Sequence, residues 1–368
     1  MRVPFVDLKA QYDNIREEID IAIAEVIRET AFISGKYVRR FEEEFGNAYG
    51  VKHVISCANG TDSLFIIMKM LGIGPGDEVI TPANSWISSA ETISQTGATP
   101  IFCDVHPVYY SIDERLLEDL ISSRTKAILA VHLHGQMCQI DTIRDLCERK
   151  GIYLIEDCAQ AHFSDLCGKR AGTWGIAGSF SFYPGKNLGA YGDAGCIITN
   201  DDNLAARCRM YANHGSLIKH QHQIEGINSR MDGLQAAILC AKLPYIGEWT
   251  EKRRTLAETY TRLLKDMPGL IVPTVRPDSK HTFHLYVIRH NRRDALKGHF
   301  ERDGIECSIH YPSPLPFLPC YQDRKFRSVD FPVSAQLQQE ILSLPIFPEM
   351  TTDQILSVVN SLEKFGDG

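Results

Sequence analysis

Strand-like and helix-like segments alternate from about residue 53 to residue 200, and this alternation constrains the fold more than any other feature of the chain. Apolar runs typical of strands occupy residues 53–58, 77–83, 99–105, 126–135, 152–160 and 195–200. Segments with helical periodicity lie between most of them, for example SLFIIMKMLGIG at 63–74. The pattern predicts an α/β fold with a mainly parallel central sheet covered by helices on both faces. Ligands of such sheets bind beyond the carboxyl ends of the strands.

The character of the chain changes at about residue 247. A long charged helix, EWTEKRRTLAETYTRLLKDM, leads to strands punctuated by proline, such as HTFHLYVIRH, and to a closing helix near 352–365. We therefore predict a large α/β domain over residues 1–246, which begins with N-terminal helices, and a smaller α+β domain over residues 247–368.

Charge and cysteine usage narrow the classes of partner. The net charge is −7 and no basic stripe interrupts it, so we expect no nucleic acid partner and favour small molecules. Eleven cysteines are scattered without a CxxC pair, which indicates reduced thiols in the cytoplasm. The chain has neither a signal peptide pattern nor an uncharged apolar stretch long enough to cross a bilayer, so we expect no membrane association.

The segment FYPGKNLGAYGDAG, residues 182–195, holds one lysine among four glycines and a proline. Gly185 and Gly189 flank Lys186 and permit close approaches that a β-carbon would block. A lysine held in a crowded site can lose its charge by desolvation and become a nucleophile. A loop lysine is more often a solvated surface charge, so the segment alone leaves both interpretations open.

Asp157 ends the apolar strand YLIED, where a buried carboxylate is costly unless a cation or a hydrogen-bond donor faces it. The alternative is that Asp157 only caps the turn that follows. Further upstream, Gly60 and Thr61 follow the strand HVISCA where a helix begins, and the free N–H groups of a helix start can hold a phosphate. A common turn or cap is the alternative there. Together, a lysine, a carboxylate and phosphate donors meet the requirements of pyridoxal 5'-phosphate.

At this point the residues match a known family. The segments NGTDSL, PGDEVITPANSW, IEDCAQAH, GSFSFYPGKNLGAYGDAG and GINSRMDGLQAAIL resemble, in order and spacing, the DegT/DnrJ-type nucleotide-sugar aminotransferases. The resemblance continues through IHYPSPLP at 309–316 and LSLPIFPEM at 342–350, and so covers almost the whole chain. It implies an aspartate-aminotransferase-like fold (fold type I) and a homodimer whose active sites lie at the subunit interface.

The resemblance also implies a role for particular residues. Lys186 would bind the cofactor covalently, and Asp157 would face the ring nitrogen. The other cofactor contacts would be Gln160 near the phenolic oxygen, Trp86 on the ring face, Gly60, Thr61 and Ser181 at the phosphate, and Asn228 reaching the phosphate from the second subunit. His162, His310 and Tyr311 would lie near the sugar or nucleotide.

Each of these residues has a structural alternative. Trp86 could be a core aromatic, Ser181 an inward strand hydroxyl, and Asn228 a helix cap. Gln160 and His162 could be polar groups satisfied at a strand end, and His310 and Tyr311 could pack the small domain. His132 and His134 share a strand face, but no ligand spacing completes a metal site, so we predict none. LGIGPGDE lacks the order of a dinucleotide fingerprint.

Two departures from the family pattern bear on the substrate. Phe163-Ser164-Asp165 replaces the usual Gly-Ala after IEDCAQAH, and His134 replaces a more usual tyrosine. Both lie near the expected sugar pocket, so they leave the cofactor residues intact and the substrate open.

The resemblance implies transfer of an amino group from L-glutamate to a dTDP- or UDP-linked 3-keto hexose, in glycan, lipopolysaccharide O-antigen or antibiotic sugar biosynthesis. Similar sugar dehydratases carry histidine in place of the lysine, so Lys186 favours transamination. Amination at C4 is the alternative on the same fold. A non-catalytic regulatory member and an NAD-dependent sugar-nucleotide enzyme are the alternatives from other classes.

Overall fold

A computed structural model describes residues 2–366, and its largest element is a seven-stranded sheet with the order β1-β7-β6-β5-β4-β2-β3. Its strands are β1 (His53–Cys57), β2 (Glu78–Pro82), β3 (Thr99–Cys103), β4 (Thr125–Val131), β5 (Tyr153–Asp157), β6 (Ala177–Ser181) and β7 (Gly195–Thr199). β7 is antiparallel to both of its neighbours, whereas β2, β3, β4, β5 and β6 pair in parallel. The mainly parallel sheet predicted from the alternation is confirmed.

Helices cover both faces of this sheet, as its apolar strands require. One face packs against a cluster that includes Ile19, Phe45 and Ile238, and the other against a cluster that includes Leu64 and Leu204. The helices are α1 (Leu8–Asn14), α2 (Arg16–Arg28), α3 (Lys36–Tyr49), α4 (Gly60–Met70), α5 (Ser88–Thr96), α6 (Leu117–Leu120), α7 (Ile140–Lys150), α8 (Asp202–Ala212), α9 (Gly233–Lys242), α10 (Ile246–Leu264), α11 (Arg293–Arg302), α12 (Pro332–Glu340) and α13 (Thr352–Gly366). No helix within residues 2–366 combines the length and apolarity needed to span a bilayer.

A second, smaller core lies in the C-terminal part of the chain. It surrounds an antiparallel sheet of β8 (Leu270–Ile271), β9 (Tyr286–His290) and β10 (Ile341–Leu344). Short strands also occupy Asp165–Leu166, Lys169–Arg170, Ser216–Ile218, Gln221–His222 and Ser279–Lys280. α10 joins the two cores, because Trp249 near its start packs in the first and Tyr260 in the second. Val3 also packs in the second core, and the domain division after residue 246 remains a prediction.

The sheet topology positions the functional residues. Because β7 is the single reversed strand, the carboxyl ends of the other six strands share one edge of the sheet. The turn at Gly60 follows β1, and Lys186 follows β6 by five residues. Asp157 is the last residue of β5. Residues far apart in the chain therefore meet at one place.

Candidate active site

A cavity of about 460 Å³ opens at the carboxyl edge of the central sheet. It brings together most of the residues predicted from the sequence: Gly60, Thr61, Trp86, Asp157, Gln160, Ser181, Lys186, His310 and Tyr311. The first seven come from the part that holds the large sheet, and the last two come from the C-terminal part. The cavity therefore lies between the two cores.

Lys186 lies in a loop whose backbone is hydrogen-bonded and closely packed. Its backbone N–H donates to the Tyr183 carbonyl at 2.8 Å, and a β-carbon on Gly189 would come within 2.3 Å of the Pro184 carbonyl oxygen. Only glycine fits at 189, whereas a β-carbon on Gly185 would meet nothing closer than 3.8 Å. The close approach expected of both glycines therefore exists only at Gly189.

The surroundings of Lys186 shift its amine toward the neutral form. Burial lowers its pKa to about 8, although the nearby Asp157 carboxylate opposes this shift. Within residues 2–366 its Nζ makes neither a hydrogen bond nor an ion pair at contact distance. A solvated loop lysine keeps its ordinary pKa, so the lowered pKa favours the held amine over the surface charge.

Helix α9 supports this loop from behind. Lys242 is fully buried, donates from Nζ to the Gly189 carbonyl at 2.8 Å, and lies 4.3 Å from the centre of the Tyr191 ring. Gln235, on the same helix, accepts a hydrogen bond from the Tyr191 backbone N–H at 2.9 Å. The loop that carries Lys186 is thus anchored on its C-terminal side by two side chains of one helix.

Asp157 lies beside the lysine and is almost fully buried. Burial raises the pKa of its carboxyl, while the Ala159 N–H, which donates to Oδ1 at 3.0 Å, and the Lys186 charge lower it. The bond from Ala159 is the turn cap considered as an alternative. The cap and the cavity position coexist, because Asp157 also lines the cavity while its Oδ1 holds the turn.

The preceding residue, Glu156, has a structural role on the other face of β5. Its carboxylate accepts from the backbone N–H groups of Gly172, Trp174 and Gly175 at 2.7–2.8 Å, and from His132 Nε2 at 2.9 Å. His132 Nδ1 accepts from the Cys138 N–H at 3.1 Å. Although His132, Glu156 and Cys158 lie close enough to hold a metal ion, hydrogen bonds account for the histidine and the carboxylate.

The start of α4 forms an anion cradle against the end of β6. Asn59 caps the helix by accepting the Asp62 N–H at 2.8 Å, and Gly60 and Thr61, whose N–H groups have no partner within the helix, line the cavity. A β-carbon on Gly60 would lie 2.6 Å from the Ser181 Cβ, so glycine is required for this approach. Thr61 Oγ1 lies 2.7 Å from Ser88 Oγ. The donor set and the space fit a phosphate group.

A chain of hydrogen bonds orients Gln160. Its Oε1 accepts the His134 backbone N–H at 2.6 Å, so Nε2 points to the Tyr311 hydroxyl at 3.0 Å. The Tyr311 ring lies 5.5 Å from the ring of Trp86. Trp86 is 57% exposed, which disfavours the core-aromatic alternative and places its ring over the cavity. His310 lines the same cavity, and its Nδ1 lies 2.8 Å from Ser343 Oγ.

Two predicted residues lie away from the cavity wall. His162 is fully buried, with its ring 5.6 Å from those of Phe180 and Phe182, and burial lowers its pKa to about 3. Asn228 is exposed and forms an isolated antiparallel bridge with Asn213. The proposed contact of His162 with the sugar has no support in this geometry, and the contact of Asn228 with a second subunit remains a prediction.

The residues that depart from the family pattern also lie outside the cavity lining. His134 is buried, with Nε2 at 3.3 Å from the His310 carbonyl oxygen, and Ser164 donates to the Gly135 carbonyl at 2.7 Å. Phe163 packs on Tyr49. None of these side chains lines the cavity, so they can affect it only indirectly, for example through the turn at 134–135 or through His310.

Several cavity residues were missed in the sequence. Ser85 and Ser88 line the wall near Trp86, and Tyr183 and Asp193 line it near the lysine. Asp193 had a usable signal, because it belongs to the same glycine-rich segment as Lys186 and precedes β7. The two serines had none, since serine is common in turns.

The sheet, the lysine and aspartate at its carboxyl edge and the phosphate cradle together define an aspartate-aminotransferase-like protein of fold type I. A solved structure of Streptomyces venezuelae DesV is 39% identical in sequence and superimposes with a TM-score of 0.97, covering 100% of this chain and 99% of the other. The model of the DegT/DnrJ/EryC1/StrS aminotransferase family matches residues 13–363. The chain belongs to this family.

Curated relatives match over nearly their full lengths. A pleiotropic regulatory protein of Geobacillus stearothermophilus is 42% identical over 99% of both chains. The dTDP-3-amino-3,4,6-trideoxy-α-D-glucose transaminase of Streptomyces venezuelae is 39% identical over 100% of this chain and 97% of its own. The UDP-N-acetyl-3-dehydro-α-D-glucosamine 3-aminotransferase of Acidithiobacillus ferrooxidans is 38% identical over 98% and 97%.

The family also establishes the class of chemistry. Its aminotransferases depend on pyridoxal 5'-phosphate, and a solved structure of NtdA from Bacillus subtilis, 30% identical in sequence, contains the cofactor PMP. The cavity fits this cofactor, because the cradle of Gly60 and Ser181 suits its phosphate and the buried Asp157 and Lys186 suit its ring and aldehyde. The protein is a pyridoxal-phosphate-dependent aminotransferase.

Proposed function

We propose that this enzyme transfers an amino group from L-glutamate to C3 of a dTDP- or UDP-linked 3-keto hexose, forming a 3-amino sugar nucleotide. The observation that carries the proposal is the meeting of Lys186, Asp157 and the anion cradle in one cavity. The carbon position rests on the relatives named above for 3-amino products. The two relatives differ in nucleotide, so both nucleotides are included.

The proposed mechanism assigns each step to a residue of this chain. When bound, the cofactor supplies an electron sink for the carbon that carries the transferred nitrogen. Asp157 holds a proton at the ring nitrogen. Lys186 would take the proton from the α-carbon of the amino donor and deliver it to the cofactor carbon that keeps the nitrogen, and a pKa lowered to about 8 makes more of its amine neutral near neutral pH than that of a free lysine.

The remaining cavity residues bind and orient. Gly60, Thr61 and Ser181 would hold the cofactor's phosphate, and Gln160 and Trp86 would contact its ring. His310 and Tyr311 line the cavity from the C-terminal side, which supports a role in contacting the sugar. His162 is kept only as a candidate for an indirect role, in which its buried ring supports β6.

A homodimer completes the proposal. The segment before Asn228 exposes the large apolar side chains Leu217, Ile218 and Ile224. An exposed apolar patch is typical of an interaction surface, and a second copy that covers it would bring Asn228 near a neighbouring cradle. We also propose a cytoplasmic location and a role in glycan, O-antigen lipopolysaccharide or antibiotic sugar biosynthesis.

Absorbance tests the proposed role of the lysine. The purified protein with added pyridoxal phosphate should gain a visible band that L-glutamate bleaches, and Lys186→Ala should abolish both the bleaching and turnover, a loss of at least about 10²-fold. Lys126→Ala, at an exposed lysine, is the control. Bleaching and turnover by Lys186→Ala would refute the assignment. A wild-type protein that neither binds the cofactor nor bleaches would favour the regulatory alternative.

A panel of sugar nucleotides tests the proposed substrate class and the carbon that is aminated. The enzyme is incubated with glutamate and with 3-keto and 4-keto sugars linked to dTDP or UDP, and the products are identified by mass spectrometry. We expect amination of a 3-keto substrate. Amination of 4-keto sugars alone would overturn the carbon assignment, and inactivity toward all of them, with glutamate bleaching intact, would overturn the substrate class.

A further inference from the structure

The residue that follows the lysine, Asn187, uses both ends of its amide to bind the C-terminal part of the chain. Its Nδ2 donates to the Thr282 carbonyl at 3.1 Å, and its Oδ1 lies 3.2 Å from His284 Nδ1. Asn187 is 4% exposed, so water does not replace these bonds readily. The backbone next to Lys186 is thus attached across the boundary between the two cores.

The chemistry of the three groups fixes the direction of both hydrogen bonds. A backbone carbonyl can only accept, so the Asn187 NH₂ group must face Thr282 and the amide oxygen must face His284. His284 Nδ1 therefore carries the proton. Burial and, as a smaller cause, the charge of Lys186 hold the pKa of His284 well below its usual range. The hydrogen bond between Asn187 and His284 therefore joins two uncharged side chains.

The same segment also supports Gln160. The Thr282 N–H donates to the Gly135 carbonyl at 3.0 Å, and the Leu285 N–H donates to the His134 carbonyl at 3.2 Å. His134 in turn donates its backbone N–H to Gln160 Oε1. Residues 282–285 therefore hold, on one side, the turn that orients Gln160 and, on the other, the loop that carries Lys186.

We propose that Asn187 is a positioning residue, which fixes Lys186 relative to Gln160 by binding Thr282 and His284. Lys242 and Gln235 anchor the loop three to five residues beyond Lys186, so Asn187 is the anchor adjacent to it. The amine of Lys186 has no hydrogen bond of its own within residues 2–366, so its place depends on the backbone that carries it. This inference rests on the proposed role of Lys186.

The test compares two buried amides that make the same type of contact. Gln136, also 4% exposed, donates to the Thr274 carbonyl at 3.0 Å and accepts the Arg276 N–H at 2.8 Å. Asn187→Leu and Gln136→Leu each remove one donated and one accepted hydrogen bond between the same two parts of the chain. Only the hydrogen bonds of Asn187 are adjacent to Lys186. A general loss of stability would affect both variants alike, whereas a positioning role would affect only Asn187→Leu.

Two readouts on the holoenzyme do not depend on turnover. Borohydride reduction followed by peptide mass spectrometry measures the fraction of cofactor trapped on Lys186, and dialysis after glutamate treatment measures the rate of cofactor release. With two hydrogen bonds lost, Asn187→Leu should release cofactor about tenfold faster and trap less of it. Gln136→Leu should match the wild type in both. Equal effects in the two variants, or none in Asn187→Leu, would overturn the inference.

Asn187→Asp gives an independent measurement if the leucine variant folds poorly. The carboxylate keeps the acceptor toward His284 but places a negative charge beside Lys186, which should raise the pH midpoint of the cofactor's visible band. An unchanged midpoint would contradict close coupling of the two residues. Trapping of the wild-type cofactor on another lysine would instead refute the proposed role of Lys186, and this inference with it.

Discussion

Burial shifts the pKa values of Lys186 and Asp157 in opposite directions. Removal from water lowers the pKa of the lysine to about 8 and raises that of the aspartic acid, while the charge of each group opposes the shift of the other. Both side chains therefore occupy an environment that disfavours their charged forms, and this lowers the stability of the fold. Such perturbed pairs in a cleft are typical of catalytic sites.

Replacement of the carboxylate separates activity from stability. Asp157→Asn retains an oxygen that can accept the Ala159 N–H but cannot hold a proton at the ring nitrogen, so kcat should fall by about 10²-fold or more. The midpoint of thermal unfolding should stay the same or rise, because a buried charge has been removed. Activity is measured on the cofactor-loaded protein, and thermal unfolding is measured on the cofactor-free protein, in which no ring nitrogen pairs with the carboxylate. Full activity in the asparagine variant would contradict the assigned role.

The contact between the start of α4 and the end of β6 decides whether the anion cradle can form. Gly60 and Ser181 belong to elements separated by more than a hundred residues, and their approach leaves no room for one methyl group. Gly60 reads in the sequence as a helix start, which explains why the turn was predicted. The neighbour that makes glycine necessary is visible only in the folded sheet.

A methyl group at Gly60 should therefore damage both the packing and the cradle. Gly60→Ala is expected to lower the free energy of unfolding by about 1–3 kcal/mol through overpacking and to weaken cofactor binding. Gly247→Ala is the control, since its β-carbon meets nothing within 4 Å at another helix start and should leave stability equal or slightly higher. Urea unfolding and fluorescence titration measure the two effects. Equal behaviour of the two variants would refute the crowding argument.

At the scale of the whole molecule, several histidines are buried around the cavity and between the two cores. Burial lowers the pKa of His134, His162 and His281 to about 3 and that of His310 to about 4. In the unfolded chain these groups take up protons below about pH 6.5, whereas in the folded chain they do not. Folding stability should therefore fall as the pH decreases from about 6.5 toward 4.

His162 allows this acid sensitivity to be measured at one position. Its ring lies between Phe180 and Phe182, so His162→Phe should remove roughly one proton from the pH dependence of the unfolding free energy between pH 6.5 and 4. The same change at exposed His220 is the control. Chemical unfolding at a series of pH values provides the slopes. An unchanged slope in His162→Phe would contradict a buried neutral imidazole.

Much of this molecule was predictable because its information is local. The alternation of apolar periods predicted the sheet, and Lys186, Asp157 and Gly60 were recognisable because glycine-rich turns and strand ends carry short, direct signals. Strand direction then brings such residues together, since parallel strands share a carboxyl edge. The selection of Lys186, Asp157 and Gly60 as candidates needed no knowledge of how helices and domains pack.

Packing settled the rest, because it depends on contacts between residues distant in the chain. No local pattern shows that the ring of His162 points into an aromatic cluster rather than into the cavity, or that Gly189 is crowded while Gly185 is not. The attachment of Asn187 to Thr282 and His284 likewise requires two parts of the chain to meet across 95 and 97 residues. Side-chain direction and long-range hydrogen bonding are properties of the assembled interior, where shape and the exclusion of water select the partners.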